Sequence, residues 1–195
     1  MEYTHYYKSP IGSVLMAADE EGLTGLWLEG QRTFVPGPGA EHEGKLLPVF
    51  EQTDEWLDIY FSGREPDFTP KIHMTGTDFQ MEVWKLLLQI PYGRTATYGE
   101  LAGKVARQKG LKRMSAQAVG GAVGRNKISI IVPCHRVVGS NGSLTGYGGG
   151  IDKKVKLLTL ERVDMGRLFV PRNLKNQEGR SCSTGQVSSS ASRRS

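Results

Sequence analysis

The chain changes character near residue 75. Before that point it contains three short apolar runs separated by turn residues, at 3–7, 13–18 and 23–28. Such runs predict an antiparallel meander, whereas after residue 75 the apolar residues recur at helical spacing. The pattern therefore predicts an α+β fold, in which a small antiparallel-sheet domain with one helix (1–75) is followed by a mostly helical domain (76–170).

Capping residues mark where the helices of the second half begin. A capping box pairs a hydroxyl residue with a Glu or Gln three positions later, and two such boxes are present, at Thr77/Gln80 and Thr97/Glu100. Ser115 can cap a third helix over 116–124. The helices predicted over 98–106 and 116–124 could form a helix-turn-helix, with an ordinary helical hairpin as the alternative.

Charge is distributed unevenly between the two predicted domains. Residues 1–75 carry 5 Lys/Arg against 13 Asp/Glu, a net −8, and residues 76–170 carry 15 against 6, a net +9. This asymmetry indicates a polyanionic partner for the second domain, because Lys and Arg neutralise phosphates with release of counterions. A solvated basic surface beside an acidic domain explains the charge equally well. Basic residues at helix ends can anchor phosphates, and the candidates are Arg107, Lys112 and Arg113.

Other features of the sequence restrict the class of protein. No apolar run approaches the roughly 18–20 residues of a membrane span, and the first residues lack the pattern of a secretory signal. Two cysteines, Cys134 and Cys182, cannot build a disulfide framework. We therefore expect a cytoplasmic protein without a membrane partner. The serine-rich tail, 171–195, is predicted to be disordered.

The strongest chemical signal follows an apolar run at 128–132 that predicts a buried strand. The next residues are Pro133-Cys134-His135-Arg136, and a loop with six glycines in twelve residues follows at 139–150. A thiolate attacks carbon, and a neighbouring His or cation lowers the pKa of a thiol. Because successive strand side chains face opposite ways, Cys134 and His135 can cooperate only if the chain turns or a water relays the proton. An inert core cysteine is the alternative.

Together these residues resemble the methylated-DNA–protein-cysteine methyltransferases, also called O6-alkylguanine-DNA alkyltransferases. The resemblance covers about 77–161 and depends on 132–138 together with three segments in the family's order: Tyr98-Gly99-Glu100-Leu101-Ala102, Ala118-Val119-Gly120-Gly121-Ala122 and Leu144-Thr145-Gly146-Tyr147. It is weaker over 1–75, where it implies a ribonuclease-H-like domain. It also implies a monomer that binds double-stranded DNA containing O6-alkylguanine and needs no cofactor. Such a protein flips the damaged base and transfers its alkyl group irreversibly to a cysteine.

The resemblance also implies a role for individual residues. Cys134 is the acceptor, His135 is the general base acting through water, and Glu161 orients His135. Asn126 supports the turn before the predicted strand. The residues expected to line or border the base pocket are Tyr98, Val137, Tyr147, Gly148 and Lys154.

The resemblance also implies which residues of the protein contact DNA. Besides the basic residues between the two helices, they are Gln117, Ala118, Arg125 and Arg136, although Arg136 is also expected to stabilise the site rather than react. Gln117 stands where the family commonly has an arginine that fills the gap left by the flipped base. A neutral amide should stack and hydrogen-bond there less strongly than a guanidinium.

A metal site is not expected in the first domain. Some members of the family carry zinc there, but residues 1–75 contain no Cys and only three histidines, His5, His42 and His73. Three other functions stay open from the residues alone. They are a lesion-binding relative without transfer, a hydrolase that uses Cys134 and His135 over many turnovers, and a helix-turn-helix regulator. A regulator needs base-edge contacts in the major groove, and the Ala/Gly-rich helix offers few side chains for them.

Overall fold

The computed structural model describes residues 2–31 and 47–171. The first domain is an antiparallel sheet of three strands in sequence order, β1 (Tyr3–Ser9), β2 (Gly12–Ala18) and β3 (Leu23–Leu28). Helix α1 (Pro48–Phe61) packs on β1 and β2, and its inward residues Phe50, Leu57 and Tyr60 are fully buried. The predicted meander and helix are therefore confirmed. Most of the predicted loop at 30–48, His42, Cys182 and nearly all of the predicted tail lie outside the described residues.

Four helices and a short parallel strand pair make up the second domain. The helices are α2 (Asp78–Leu87), α3 (Tyr98–Gln108), α4 (Ala116–Val123) and α5 (Ile151–Leu160), and the strands are β4 (Ala96–Thr97) and β5 (Val137–Val138). Both predicted capping boxes are formed, and Ser115 accepts a hydrogen bond from the backbone N–H of Ala118. The helix starts were thus correctly predicted from local sequence, because a cap involves only residues within one turn.

The small residues of α4 allow it to pack closely against its neighbours. A Cβ at Gly120 would be in ordinary van der Waals contact with the ring of Tyr98, at 3.6 Å, and the indole N–H of Trp84 donates to the carbonyl of Ala122 over 2.9 Å. Helix α4 therefore packs against Tyr98, which lies at the start of α3.

The predicted strand over 128–132 is wrong. Only its beginning pairs with β3, where Ser129 N–H donates to the carbonyl of Leu26 over 2.9 Å. The chain then turns back on itself, with Ile130 at φ +69° and a hydrogen bond of 3.0 Å from Val132 N–H to the carbonyl of Ile128. The segment is buried as expected. An apolar run indicates burial, but its periodicity does not distinguish a strand from a buried turn.

The two domains are joined by backbone pairing as well as by the chain. The 128–132 turn of the second domain pairs with Leu26 of β3, whereas the pairing of Ile72 with Leu23 lies within the first domain. Our domain boundary near residue 75 stays a prediction. None of the helices within 2–31 and 47–171 is both long and apolar enough to cross a bilayer.

Candidate active site

Asn126 is placed to organise the turn that carries Cys134. Its amide is buried, its Oδ1 accepts from Ile128 N–H over 3.0 Å, and its Nδ2 donates to the carbonyl of Val132 over 2.8 Å. The same Nδ2 lies 3.2 Å from Sγ of Cys134. Asn126 therefore closes the turn and also supplies a hydrogen-bond donor to the sulfur, which agrees with the supporting role expected of it.

Cys134 begins a single 3-10 turn, Cys134–Arg136, and only 8% of its surface is exposed. Burial raises the pKa of its thiol, while the Asn126 donor and the charge of Lys154 lower it. Lys154 is fully buried, and its Nζ donates to the carbonyls of Val137 and Thr145 over 2.6 and 2.9 Å. Burial lowers the pKa of Lys154 to about 8. The net shift leaves Cys134 a thiol at neutral pH, so a base is required for this sulfur to act as a nucleophile.

His135 is fully buried and lies beside a fixed carboxylate. Its Nε2 is 2.6 Å from Oε1 of Glu161, and Arg136 donates to both oxygens of that carboxylate, over 2.8 and 3.1 Å. Burial alone would raise the pKa of Glu161, but the hydrogen bonds from His135 and Arg136 lower it to about 2. Glu161 is therefore an anion at neutral pH. The backbone N–H of Gly93 donates to the same carboxylate over 3.2 Å.

The protonation of His135 follows from these contacts. Burial lowers its pKa, so the ring is neutral at neutral pH. An ionised carboxylate at Nε2 requires the proton on that nitrogen, which leaves Nδ1 as an acceptor. Among the described residues Nδ1 has no hydrogen-bond partner. This is the arrangement of a general base, with one nitrogen oriented and the other able to take a proton.

The residues expected around the base pocket lie close to this centre. Burial, followed by the effect of the neighbouring Cys134, raises the pKa of Tyr98 to about 12, and the same two causes raise the pKa of Tyr147. Both phenols therefore stay protonated at neutral pH. The Tyr98 hydroxyl donates to the carbonyl of Thr145 over 3.3 Å, and the ring of Tyr147 meets that of His135 edge-on at 6.4 Å. Gly148, the next residue, is exposed.

The structure contradicts a DNA-contacting role for Arg136. Its surface is 8% exposed, its Nη1 donates to the carbonyl of Ile90 over 2.6 Å, and its other two nitrogens bind Glu161. A guanidinium held by buried acceptors cannot reach a phosphate, so this part of the prediction is wrong. The expectation that Arg136 stabilises the site agrees with its contacts.

The remaining DNA-binding candidates lie on the surface. Gln117 and Ala118 are exposed in the first turn of α4, and Arg125 is exposed just after its end. Three basic residues line one groove together with the start of α4, namely Arg107, Lys112 and Arg113. This arrangement gives one basic surface that includes the ends of both predicted helix-turn-helix elements.

Two groups in the site were not anticipated from the sequence. The hydroxyl of Tyr60 in α1 donates to Oε1 of Glu161 over 2.7 Å, and the backbone N–H of Gly93 donates to Oε2 over 3.2 Å. Tyr60 lies on the apolar stripe of an amphipathic helix, so its spacing indicated only a core residue. Its sequence separation of 101 residues from Glu161 left no local signal.

Nowhere in 2–31 and 47–171 do three or more His, Cys, Asp or Glu side chains converge in a way that could hold a metal ion. Two of the three histidines of the first domain instead pair with carboxylates, His5 with Asp54 over 2.9 Å and His73 with Asp19 over 2.7 Å and with Glu21 over 3.5 Å.

Two family models match nearly the whole of the described chain. The 6-O-methylguanine DNA methyltransferase ribonuclease-like domain matches residues 2–73, and the DNA binding domain of the same family matches residues 78–163. The ribonuclease-like match agrees with the α+β fold and its three-stranded sheet.

Two relatives are named methylated-DNA–protein-cysteine methyltransferase. The methylated-DNA–protein-cysteine methyltransferase of Methanosarcina acetivorans is 44% identical over 161 residues, which cover 82% of this chain and 97% of the relative. That of Mycobacterium tuberculosis is 44% identical over 160 residues, covering 79% and 88%.

Solved structures agree with this likeness. The crystal structure of Mycobacterium tuberculosis O6-methylguanine methyltransferase superposes with a TM-score of 0.67 at 41% identity, covering 91% of this chain and 99% of the other. Mycobacterium tuberculosis OGT in complex with DNA gives a TM-score of 0.70 at 43% identity, covering 82% and 93%. The chain therefore belongs to the methylated-DNA–protein-cysteine methyltransferase family.

Proposed function

We propose that this protein repairs DNA by direct reversal, by moving the alkyl group of O6-methylguanine in duplex DNA irreversibly onto Sγ of Cys134. The observation that carries the proposal is the buried centre itself. A thiol that accepts an amide donor adjoins a neutral histidine, and an ionised carboxylate orients that histidine. Family membership supports the same chemistry, and a solved relative was crystallised in complex with DNA.

The reaction begins with removal of the thiol proton. That proton passes from Cys134 through a water to Nδ1 of His135, whose Nε2–H stays bonded to Glu161. The resulting imidazolium is stabilised by the carboxylate, and the thiolate by Nδ2 of Asn126 at 3.2 Å and by the buried charge of Lys154. Each new charge therefore meets a group of opposite charge or polarity that is already in place.

Transfer is then an in-line displacement at the alkyl carbon. The new bond joins Sγ to that carbon, and the bond from the carbon to guanine O6 breaks with its electron pair staying on the base. The guanine anion takes up one proton, so the proton released by the thiol is balanced. Tyr98 and the loop amides near Gly148 are the candidate donors to O6. A thioether is a poor leaving group, so each molecule reacts once.

The base reaches the sulfur only after it leaves the helix. An alkyl carbon within stacked duplex is inaccessible, and extrusion costs a few kcal/mol, less for a damaged base. Cys134 is nearly covered, so entry requires the glycine-rich loop at 139–150 to move away from Tyr98. The contact that joins them, from the Tyr98 hydroxyl to the carbonyl of Thr145, spans 3.3 Å.

The basic surface at α3 and α4 supplies the binding to DNA. Arg107, Lys112 and Arg113 contact phosphates, which carry no sequence information, and this suits repair anywhere in a genome. Arg125, exposed just after the end of α4, is a further phosphate contact, while Gln117 and Ala118 lie where the flipped base leaves its gap. We place the protein in the cytoplasm, acting as a monomer without a metal or organic cofactor.

Mass spectrometry tests the proposal directly. After incubation with duplex DNA containing O6-methylguanine, the intact protein should gain one methylene mass, and a peptide map should place it on Cys134. Cys134→Ala should bind the same duplex without any gain. A protein that binds the lesion but gains no mass would be a lesion-binding relative. Turnover of an ester or amide without permanent modification would indicate a hydrolase instead.

A further inference from the structure

The first domain contributes one side chain to the buried base. Tyr60, in the last turn of α1, is fully buried, and its hydroxyl donates to Oε1 of Glu161 over 2.7 Å. The same hydroxyl oxygen lies 3.4 Å from Nε2 of His135. Oε1 also receives the 2.6 Å contact from Nε2. The phenol and the imidazole therefore share one carboxylate oxygen and lie beside each other.

Packing holds the Tyr60 ring in place. It stacks on Trp56 with ring centroids 5.2 Å apart and an interplanar angle of 9°, and it meets Tyr92 edge-on at 6.0 Å. Burial and the charge of Glu161 raise the pKa of Tyr60 well above its ordinary value. The hydroxyl therefore keeps its proton and donates, and its direction is set by the aromatic rings of Trp56 and Tyr92.

We propose that Tyr60 is a positioning residue for alkyl transfer, whose hydroxyl holds the Glu161 carboxylate and the His135 ring in the one arrangement that leaves Nδ1 as the proton acceptor. The inference rests on the proposed function. It gives the first domain a part in the reaction beyond packing against the second. Tyr60 does not touch the reacting atoms, and it acts through Glu161 and His135.

The effect of Tyr60 can be separated from that of the other groups around His135. Charged or titratable side chains reach the ring from three further elements: Glu161 and Lys154 from α5 and its end, Cys134 and Arg136 from the 3-10 turn, and Tyr147 from the glycine-rich loop. A variant that lacks only the Tyr60 hydroxyl still contains every one of these side chains. A changed titration of His135 in such a variant therefore reports that hydroxyl.

Tyr60→Phe keeps the ring and removes the single oxygen. Tyr92→Phe is the matched control, because its hydroxyl lies in the same aromatic cluster but contacts the carbonyl of Leu160 at 3.4 Å rather than Glu161. Single-turnover transfer from an O6-methylguanine duplex is measured from about pH 5 to about pH 9. With one donor fewer, Glu161 stabilises the imidazolium more strongly. The acid-limb midpoint of Tyr60→Phe should therefore rise by roughly 0.5–1 pH unit, while Tyr92→Phe matches the wild type.

A second readout does not depend on transfer. Nitrogen-15 spectra of labelled histidine in the free protein report the tautomer and the titration of His135. In the wild type they should show the proton on Nε2, and in Tyr60→Phe a mixed tautomer or a raised titration midpoint. If Tyr60→Phe lowers only the melting temperature and keeps the wild-type pH profile and spectra, Tyr60 is a packing residue and the inference is overturned. A wild type that forms no S-alkyl product would end the proposed function, and the spectra would still decide the role of the hydroxyl.

Discussion

Replacing Asn126 by Ala tests whether the turn before Cys134 depends on one side chain. In the wild type the buried N–H of Ile128 donates to Oδ1 of Asn126 over 3.0 Å, and the substitution removes this acceptor. A buried donor left unpaired costs about 1–3 kcal/mol. The carbonyl of Val132 loses its 2.8 Å bond but keeps the N–H of Cys134, also at 2.8 Å, so this loss is nearer ~1 kcal/mol. We therefore expect Asn126→Ala to lower the free energy of unfolding by about 2–4 kcal/mol.

Urea unfolding measures this loss, and the chain offers a matched control. Asn141 makes a similar contact in an exposed turn, where its Oδ1 accepts from Ser143 N–H over 3.1 Å. Asn141→Ala should cost less than about 1 kcal/mol, because water replaces the lost acceptor. If both variants lose the same small amount at equal m-values, the assigned role of Asn126 is wrong.

A second substitution separates the fold from the chemistry at the same position. Asn126→Asp keeps an oxygen for the N–H of Ile128 but places an acceptor, and a charge, beside Sγ of Cys134. We expect DNA binding to persist while alkyl transfer at neutral pH falls by about tenfold or more, because the thiolate loses a donor and meets a like charge. Transfer at the wild-type rate would show that the 3.2 Å contact does not assist the sulfur.

Three further predictions follow from the charges. Alanine at Arg107, Lys112 or Arg113 should weaken binding to all DNA sequences and reduce the slope of log affinity against log salt by about one per residue, as measured by fluorescence anisotropy. Because folding lowers the pKa of Glu161 from 4.5 to about 2, its contribution to stability is present above pH 4.5 and is lost as the pH falls towards 2; Glu161→Gln should remove this dependence from acid unfolding curves. Gln117→Arg should tighten binding to methylated duplex and speed transfer, since a guanidinium adds charge and stacking; single-turnover rates check this.

Controls decide each of these three outcomes. Lys8→Ala removes an exposed charge from the first domain and should leave DNA affinity unchanged; an equal loss from Lys8 would mean that only net charge matters. An acid unfolding curve that is the same for Glu161→Gln and wild type would contradict the lowered pKa. Unchanged affinity and rate in Gln117→Arg would place that side chain away from the duplex.

Much of the architecture follows from contacts between residues that are close in sequence, such as helix caps and turns. Both capping boxes and the Ser115 cap were predicted correctly, because each joins residues no more than three apart. The same is true of the meander in the first domain, where turn residues separate short apolar runs. The apolar run at 128–132 was misjudged because burial alone does not fix backbone direction, and here a buried side chain outside the run, Asn126, bends it.

The sequence by itself predicted Cys134 as the reacting residue and indicated which family the chain resembles, since Cys134 and His135 are neighbours within one distinctive stretch. Only the tertiary structure decided what surrounds them. The Arg136 side chain lies against Glu161, which the residues next to Arg136 in sequence did not indicate. Tyr60 contacts the same carboxylate, although it is 101 residues away from Glu161 in sequence. The physical reason is that a cap or a turn is a contact between near residues, whereas a buried charge takes its partners from whichever elements pack around it.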